Sequence, residues 1–159
     1  MNHSDIFSSV LTFCPGVYAD GQIKKMWDSW SGWNEVKRSY AQAFSPNEDS
    51  TRYFGNIPTF SGTEEDNAIL AEWDRGYGCW EEKVDTYVKD GAGLNGIQIV
   101  YGKSDNFKWI PEGCVFLADT FQNKGVECEL TEFQGGHSVP YNSFVTYFIP
   151  FTEKYLKFD

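Results

Sequence analysis

The order of apolar runs over residues 96–156 most constrains the fold of this chain. GIQIVYG, residues 96–102, is a short apolar run bounded by glycines, which is typical of a buried strand. The next segment has Pro111 in a favourable position for a first helical turn and apolar residues at helical spacing, namely Cys114, Leu117, Ala118 and Phe121. Residues 126–131 then alternate apolar and polar side chains, as a half-exposed strand does. Strand, helix and strand with short connections predict parallel strands joined by a right-handed crossover.

The pattern of residues 1–95 predicts one more strand, followed by a mainly helical segment. IFSSVLTF, residues 6–13, is β-branched and aromatic and stops at Cys14-Pro15-Gly16, which predicts a strand buried on both faces. Asp20 and Asn34 are placed as helix N-caps before segments with helical apolar spacing. Thr63, followed by acidic side chains at positions 64–66, is placed at the N-terminus of another helix. A closing amphipathic helix is predicted from its apolar stripe: Phe144, Val145, Phe148, Ile149, Tyr155 and Leu156.

Length and pattern together predict one α/β domain. A chain of 159 residues suffices for one domain with a real core. We predict about three parallel strands with flanking helices. Residues 1–17 carry a sheet strand, residues 18–95 form a helical, lid-like insertion, and residues 96–159 run strand, helix, strand, helix.

The composition of the chain argues against several classes of binding partner. A net charge of −10 argues against nucleic acid or an anionic membrane as partner, because no basic surface would neutralise phosphates. No apolar run reaches the roughly 18 residues of a membrane span, and the N-terminus lacks signal-peptide features, so the cytoplasm is the default expectation. The four cysteines show neither a C-x-x-C pair nor zinc-like spacing. We therefore favour buried free thiols over disulfides and expect no metal site. We also expect no cofactor.

Two polar stretches follow the last two predicted strands. GKSDN, residues 102–106, and QGGH, residues 134–137, should lie together at the carboxyl edge of a parallel sheet, where ligands and chemistry gather. A general-base histidine needs a carboxylate on Nδ1 so that Nε2 can take a proton, and Asp105 and His137 fit these two roles. Separately, Asp105 also suits an Asx-turn and His137 a glycine-rich turn. Their joint placement favours the catalytic interpretation.

These residues carry a resemblance to a known family. The pattern of residues 96–157, a strand, G-x-x-D, a helix, a strand ending in G-G-H and a closing helix, resembles the esterase branch of the α/β-hydrolases, which includes esterase D-like enzymes and feruloyl esterases. HSDIF, residues 3–7, followed by SSVLTFCPG, resembles the segment that leads out of the helix after the nucleophile elbow in that family. The similarity covers residues 2–17 and 96–157.

The resemblance implies a truncated α/β-hydrolase fold and a serine carboxylic-ester hydrolase without a cofactor. Asp105 and His137 would be two members of a Ser-Asp-His triad acting on a small-molecule ester. In the family the G-x-S-x-G elbow and the oxyanion-hole loop precede the HSDIF-like segment, and Ser31 and Ser61 lack both the flanking pattern and a preceding strand. We therefore expect the chain to supply Asp and His but no nucleophile, and to be inactive alone.

Two other functions remain open. The first is that the chain is a binding or assembly partner without catalytic activity. In that case we expect the chain to self-associate through its uncovered sheet. A flavodoxin-like phosphate binder is disfavoured because the chain has no G-x-G-x-x-G or P-loop motif.

Three tryptophans and one cysteine are further candidates for residues of a functional site. Trp27, Trp30 and Trp33 suit a substrate-binding aromatic platform, although their spacing equally suits packing of a lid helix, which we favour. Cys14 follows the first strand, and we expect a packing role for its thiol.

Overall fold

The protein is a mixed α/β structure. The computed structural model describes residues 3, 6–91 and 93–156. Within these residues there are three strands and six α-helices, with a short π-helix directly before the last one. In chain order they are β1 (Ser9–Phe13), α1 (Ile23–Ser29), α2 (Asn34–Phe44), α3 (Glu64–Tyr77), α4 (Trp80–Lys89), β2 (Gly96–Gly102), α5 (Trp109–Asn123), β3 (Glu129–Phe133), the π-helix (Phe144–Phe148) and α6 (Ile149–Tyr155).

The three strands form a parallel sheet, as the sequence predicts, and their order is β1-β2-β3. Phe13 pairs with Val100, and Gly102 pairs with Phe133, so all three strands end at the same edge. β2 is hydrogen-bonded on both sides and is buried except at Tyr101. The sheet therefore brings the loops after β1, β2 and β3 together.

β1 differs from its prediction. The strand begins at Ser9, every residue in it is only half-buried, and Ile6 and Phe7 before it are 69% and 62% exposed. The expectation of a strand from Ile6 that is buried on both faces was wrong. Among the described strands β1 pairs with β2 alone, and an edge strand keeps part of its surface accessible.

Helix α5 joins β2 to β3 and packs against both strands and against the segment that follows β1. Its buried residues include the predicted stripe of Cys114, Leu117, Ala118 and Phe121. A Cβ added at Gly113 would lie 1.9 Å from the carbonyl oxygen of Val17, so glycine permits this close approach.

The start of β3 and the character of the final helix also differ from prediction. Residues 126–128 precede β3, because the Val126 N–H donates to the Phe121 carbonyl at 2.9 Å and closes the end of α5. The closing helix starts as a π-helix whose Phe144, Val145 and Phe148 are 62%, 67% and 46% exposed. Only its later part is buried, through Phe151 and Tyr155.

Helix starts were predicted correctly at one position of three. The Thr63 side chain accepts the Asp66 N–H at 3.3 Å at the start of α3, as predicted. The predictions for Asp20 and Asn34 were wrong: Gln22 precedes α1, and Asn34 is itself the first residue of α2.

The chain divides into two compact units, one of Met1–Ala19 with Trp80–Asp159 and one of Asp20–Cys79. The first contains the sheet, α4, α5 and α6. The second contains α1, α2 and α3, around an aromatic core in which Trp73 is fully buried. None of the helices in the described ranges combines the length and the apolar character needed to cross a bilayer.

Candidate functional site

The loops after β2 and β3 are joined through their backbones at the carboxyl edge of the sheet. The N–H of Lys103 donates to the Phe133 carbonyl at 2.9 Å, and that of Ser104 donates to the Gly135 carbonyl at 2.8 Å. A Cβ on Gly102 would lie 2.3 Å from the Gly136 carbonyl oxygen. Only glycine at position 102 allows the two loops to lie this close.

Asp105 sits in the loop after β2 and is fully buried. Its Oδ1 accepts the Phe107 N–H at 2.8 Å, which closes an Asx-turn. Its Oδ2 lies 2.9 Å from Nδ1 of His137. The two interpretations of Asp105 from sequence are thus compatible, because the turn directs the second carboxylate oxygen towards the imidazole.

His137 sits in the loop after β3 with its side chain 43% exposed. The Phe107 ring meets the imidazole edge to face, with centroids 5.3 Å apart and planes at 83°. A carboxylate at Nδ1 favours the neutral tautomer with hydrogen on Nδ1, which leaves the lone pair on Nε2. Nε2 makes no hydrogen bond to the part of the chain that the structure describes. The ring is therefore held by Asp105 at Nδ1 while the side chain as a whole stays 43% exposed, an arrangement that suits a general base.

Cys14 joins this pair from the end of β1. Its backbone N–H donates to the Val100 carbonyl at 2.8 Å, and its φ of 43° places it in the left-handed region. Its thiol donates weakly to the carbonyls of Gly136 and Ser138, at 3.8 and 3.7 Å. Cys14 Sγ, a carboxylate oxygen of Asp105 and a ring nitrogen of His137 all lie within 4.8 Å of one another. The sequence predicts only packing for Cys14, and its position directly after a strand was the one signal of this proximity.

All four cysteines are free, as favoured from the sequence. Burial raises the pKa of Cys114 to about 12 and that of Cys128 to about 11. These two thiols stay protonated near neutral pH and act as apolar side chains.

The three tryptophans belong to the second unit. Trp27 meets Trp73 edge to face at 5.4 Å, and Trp30 is 4% exposed and stacks on Tyr40 at 4.9 Å. Trp33 is 48% exposed. The contacts of Trp27 and Trp30 are those expected from packing in an aromatic core.

Two residues that shape this site were not predicted from the sequence. Gly102 sets the distance between the two loops, and Phe107 both caps the Asp105 turn and packs on the imidazole. Comparison with known proteins adds no relative: no family model matches the chain, and neither does any curated protein.

Proposed function

We propose that this chain supplies the Asp and His of a Ser-Asp-His triad in a serine carboxylic-ester hydrolase of the α/β-hydrolase fold, whose serine lies on a segment outside residues 1–159. The observation that supports this proposal is the 2.9 Å contact between His137 Nδ1 and Asp105 Oδ2 at the carboxyl edge of a parallel sheet. A buried carboxylate on Nδ1 with Nε2 accessible is the arrangement that activates a hydroxyl nucleophile.

The chemistry assigns one role to each residue. Nε2 of His137 takes the serine proton as the hydroxyl oxygen attacks the ester carbonyl, and Asp105 stabilises the resulting imidazolium. His137 then gives this proton to the departing alkoxide, which leaves an acyl-enzyme. A water molecule, deprotonated by the same nitrogen, hydrolyses the acyl-enzyme and regenerates the serine.

The sheet leaves a position for the strand that would carry the serine. β1 pairs on one side only among the described strands, and its residues are half-buried. A further parallel strand on the free side of β1 would end at the edge where Asp105 and His137 meet. In the resembling family the elbow precedes the strand that matches β1, which agrees with this position.

The test is an extended protein that includes the segment encoded upstream of Met1, assayed with short p-nitrophenyl esters. We expect turnover that His137→Ala abolishes and that Asp105→Asn lowers by about 10⁴-fold, because the amide favours the wrong tautomer. His3→Ala, at the other histidine of the chain, is the matched control and should retain full turnover. Undiminished turnover in the His137→Ala protein would refute the proposal.

An ester-hydrolysis assay of the 159-residue chain alone distinguishes a serine nucleophile from a cysteine nucleophile. Without the serine segment we expect no ester hydrolysis above that of the His137→Ala chain. Cys14 is a nucleophile near the Asp105–His137 pair, but its thiol donates to backbone carbonyls. Hydrolysis by the chain alone that Cys14→Ser abolishes would assign the nucleophile to Cys14 and contradict the serine proposal.

A second candidate function is that of a silent binding or assembly partner. Exposed Phe144, Val145 and Phe148 on the π-helix, together with the half-buried β1, favour it. Light scattering of the 159-residue chain tests this candidate. Association that Phe144→Ser with Phe148→Ser reverses would support it, and a monomer that unfolds cooperatively would contradict it.

A further inference from the structure

Three different metal-binding groups meet at the carboxyl edge of the sheet. Cys14, Asp105 and His137 come from the ends of β1, β2 and β3, and their donor atoms lie within 4.8 Å of one another. With Zn–S near 2.3 Å and Zn–N near 2.0–2.1 Å, tetrahedral geometry separates sulfur and nitrogen ligands by about 3.5 Å. Adjustments of about 1 Å would therefore bring the three atoms into one coordination sphere.

We propose that Cys14, Asp105 and His137 form a binding site for a thiophilic divalent cation, with Zn²⁺ as the preferred ion. Thiolate and imidazole favour Zn²⁺ over Mg²⁺ or Ca²⁺, which prefer oxygen ligands. Three protein ligands leave a fourth position for water or an anion. The 43% exposure of the His137 side chain gives the ion a route from solvent.

The backbone orients each of the three groups before any ion arrives. The Cys14 N–H is bonded to the Val100 carbonyl, and the Asp105 Oδ1 is bonded to the Phe107 N–H. Gly102 keeps the loop of Asp105 against the loop of His137. Such fixed ligands reduce the ordering cost of metal binding.

Binding of the metal ion to the three residues releases one proton. The Cys14 thiol gives its proton to solvent and exchanges two weak contacts to carbonyl oxygens for a bond to the metal. His137 binds as a neutral imidazole. Where Nδ1 is the ligand, its hydrogen moves to Nε2 through solvent, with no change in ring charge.

The site goes beyond the proposed hydrolase function and does not depend on it. A bound ion would occupy two of the groups that the hydrolytic reaction needs, so metal binding and base catalysis exclude each other. Metal binding is measured on the 159-residue chain without turnover, and its failure is therefore distinguishable from failure of the hydrolase proposal.

The test is a titration of the reduced chain with Co²⁺, in which the thiolate-to-cobalt charge-transfer absorption monitors binding. Zn²⁺ is then added to displace the bound Co²⁺. The wild type should bind one ion with this absorption, and Zn²⁺ should abolish it stoichiometrically. Cys14→Ser should lose the band. Cys128→Ser, which alters a buried thiol that contacts the Glu129 carbonyl, is the matched control and should keep it.

His137→Ala provides a second variant because it changes an exposed side chain, so it tests the site even where Cys14→Ser fails to fold. We expect its Co²⁺ affinity to fall at least about 10-fold, since losing a ligand costs no less than losing a residue that supports one. Absence of the band in the wild type, its retention in Cys14→Ser, or unchanged affinity in His137→Ala would each overturn the proposal.

Discussion

Gly102 is the position where a single added methyl group should disturb the site most. In Gly102→Ala the new Cβ would lie 2.3 Å from the Gly136 carbonyl oxygen and 2.7 Å from that of Gly135. Both atoms belong to the backbone, so the loop of His137 must move by about 1 Å to restore an ordinary contact. That shift strains or breaks the 2.8 Å hydrogen bond from Ser104 N–H to Gly135. Overpacking costs about 1–3 kcal/mol and the lost hydrogen bond about 1 kcal/mol, which together predict a loss of about 2–4 kcal/mol.

Urea denaturation of wild type and variant measures this difference, with an unchanged m-value as evidence that both unfold in the same way. Gly136→Ala is the matched control in the same loop, because the nearest atom to its added Cβ is 3.8 Å away. We expect the control to change the free energy of unfolding by less than about 0.5 kcal/mol. A loss below about 1 kcal/mol in Gly102→Ala, or an equal loss in both variants, would refute the close-approach argument.

Two further predictions concern the second unit. Thr63→Ala removes the side-chain cap of α3 and should lower the free energy of unfolding by about 0.5–2 kcal/mol, measured by urea denaturation. The control is Thr86→Ala at an exposed position of α4 in the first unit, and it should lower the free energy of unfolding less. The backbone N–H groups of Thr59 and Ser61 hold the pKa of Asp66 below its ordinary value of 3.8. The stabilisation by Asp66 is therefore complete above that ordinary value and is lost as pH falls through the lower folded-state pKa. Asp66→Asn should weaken the acid dependence of the melting temperature below about pH 4, and an unchanged profile would contradict this reasoning.

Local patterns predicted much of the fold. The glycine-bounded run of β2, the apolar stripe of α5 and the helix start at Thr63 each depend on a few neighbouring residues, and the structure confirms all three. The parallel sheet followed from the short connections between strand, helix and strand.

Errors arose where distant contacts or competing hydrogen bonds decide the structure. The burial of β1 depends on which strands flank it, and its apolar sequence does not contain that information. The start of β3 was misplaced because Val126 bonds to the end of α5 instead of to the sheet. At the site, the pairing of Asp105 with His137 was predicted from strand ends, whereas the proximity of Cys14 depends on the φ of 43° and on loop packing.

The tautomer of His137 is the most direct measure of its role as a base oriented by Asp105. The chain has two histidines, so ¹⁵N labelling of histidine gives two imidazole rings to resolve, and His3→Ala assigns them. The spectra are recorded without metal and at a pH where the ring is neutral. We predict that the ¹⁵N shifts of His137 show a ring protonated at Nδ1 and unprotonated at Nε2. Asp105→Asn should abolish the preference for this tautomer. A His137 ring protonated at Nε2, or a tautomer mixture that Asp105→Asn leaves unchanged, would contradict the assignment of His137 as a base oriented by Asp105.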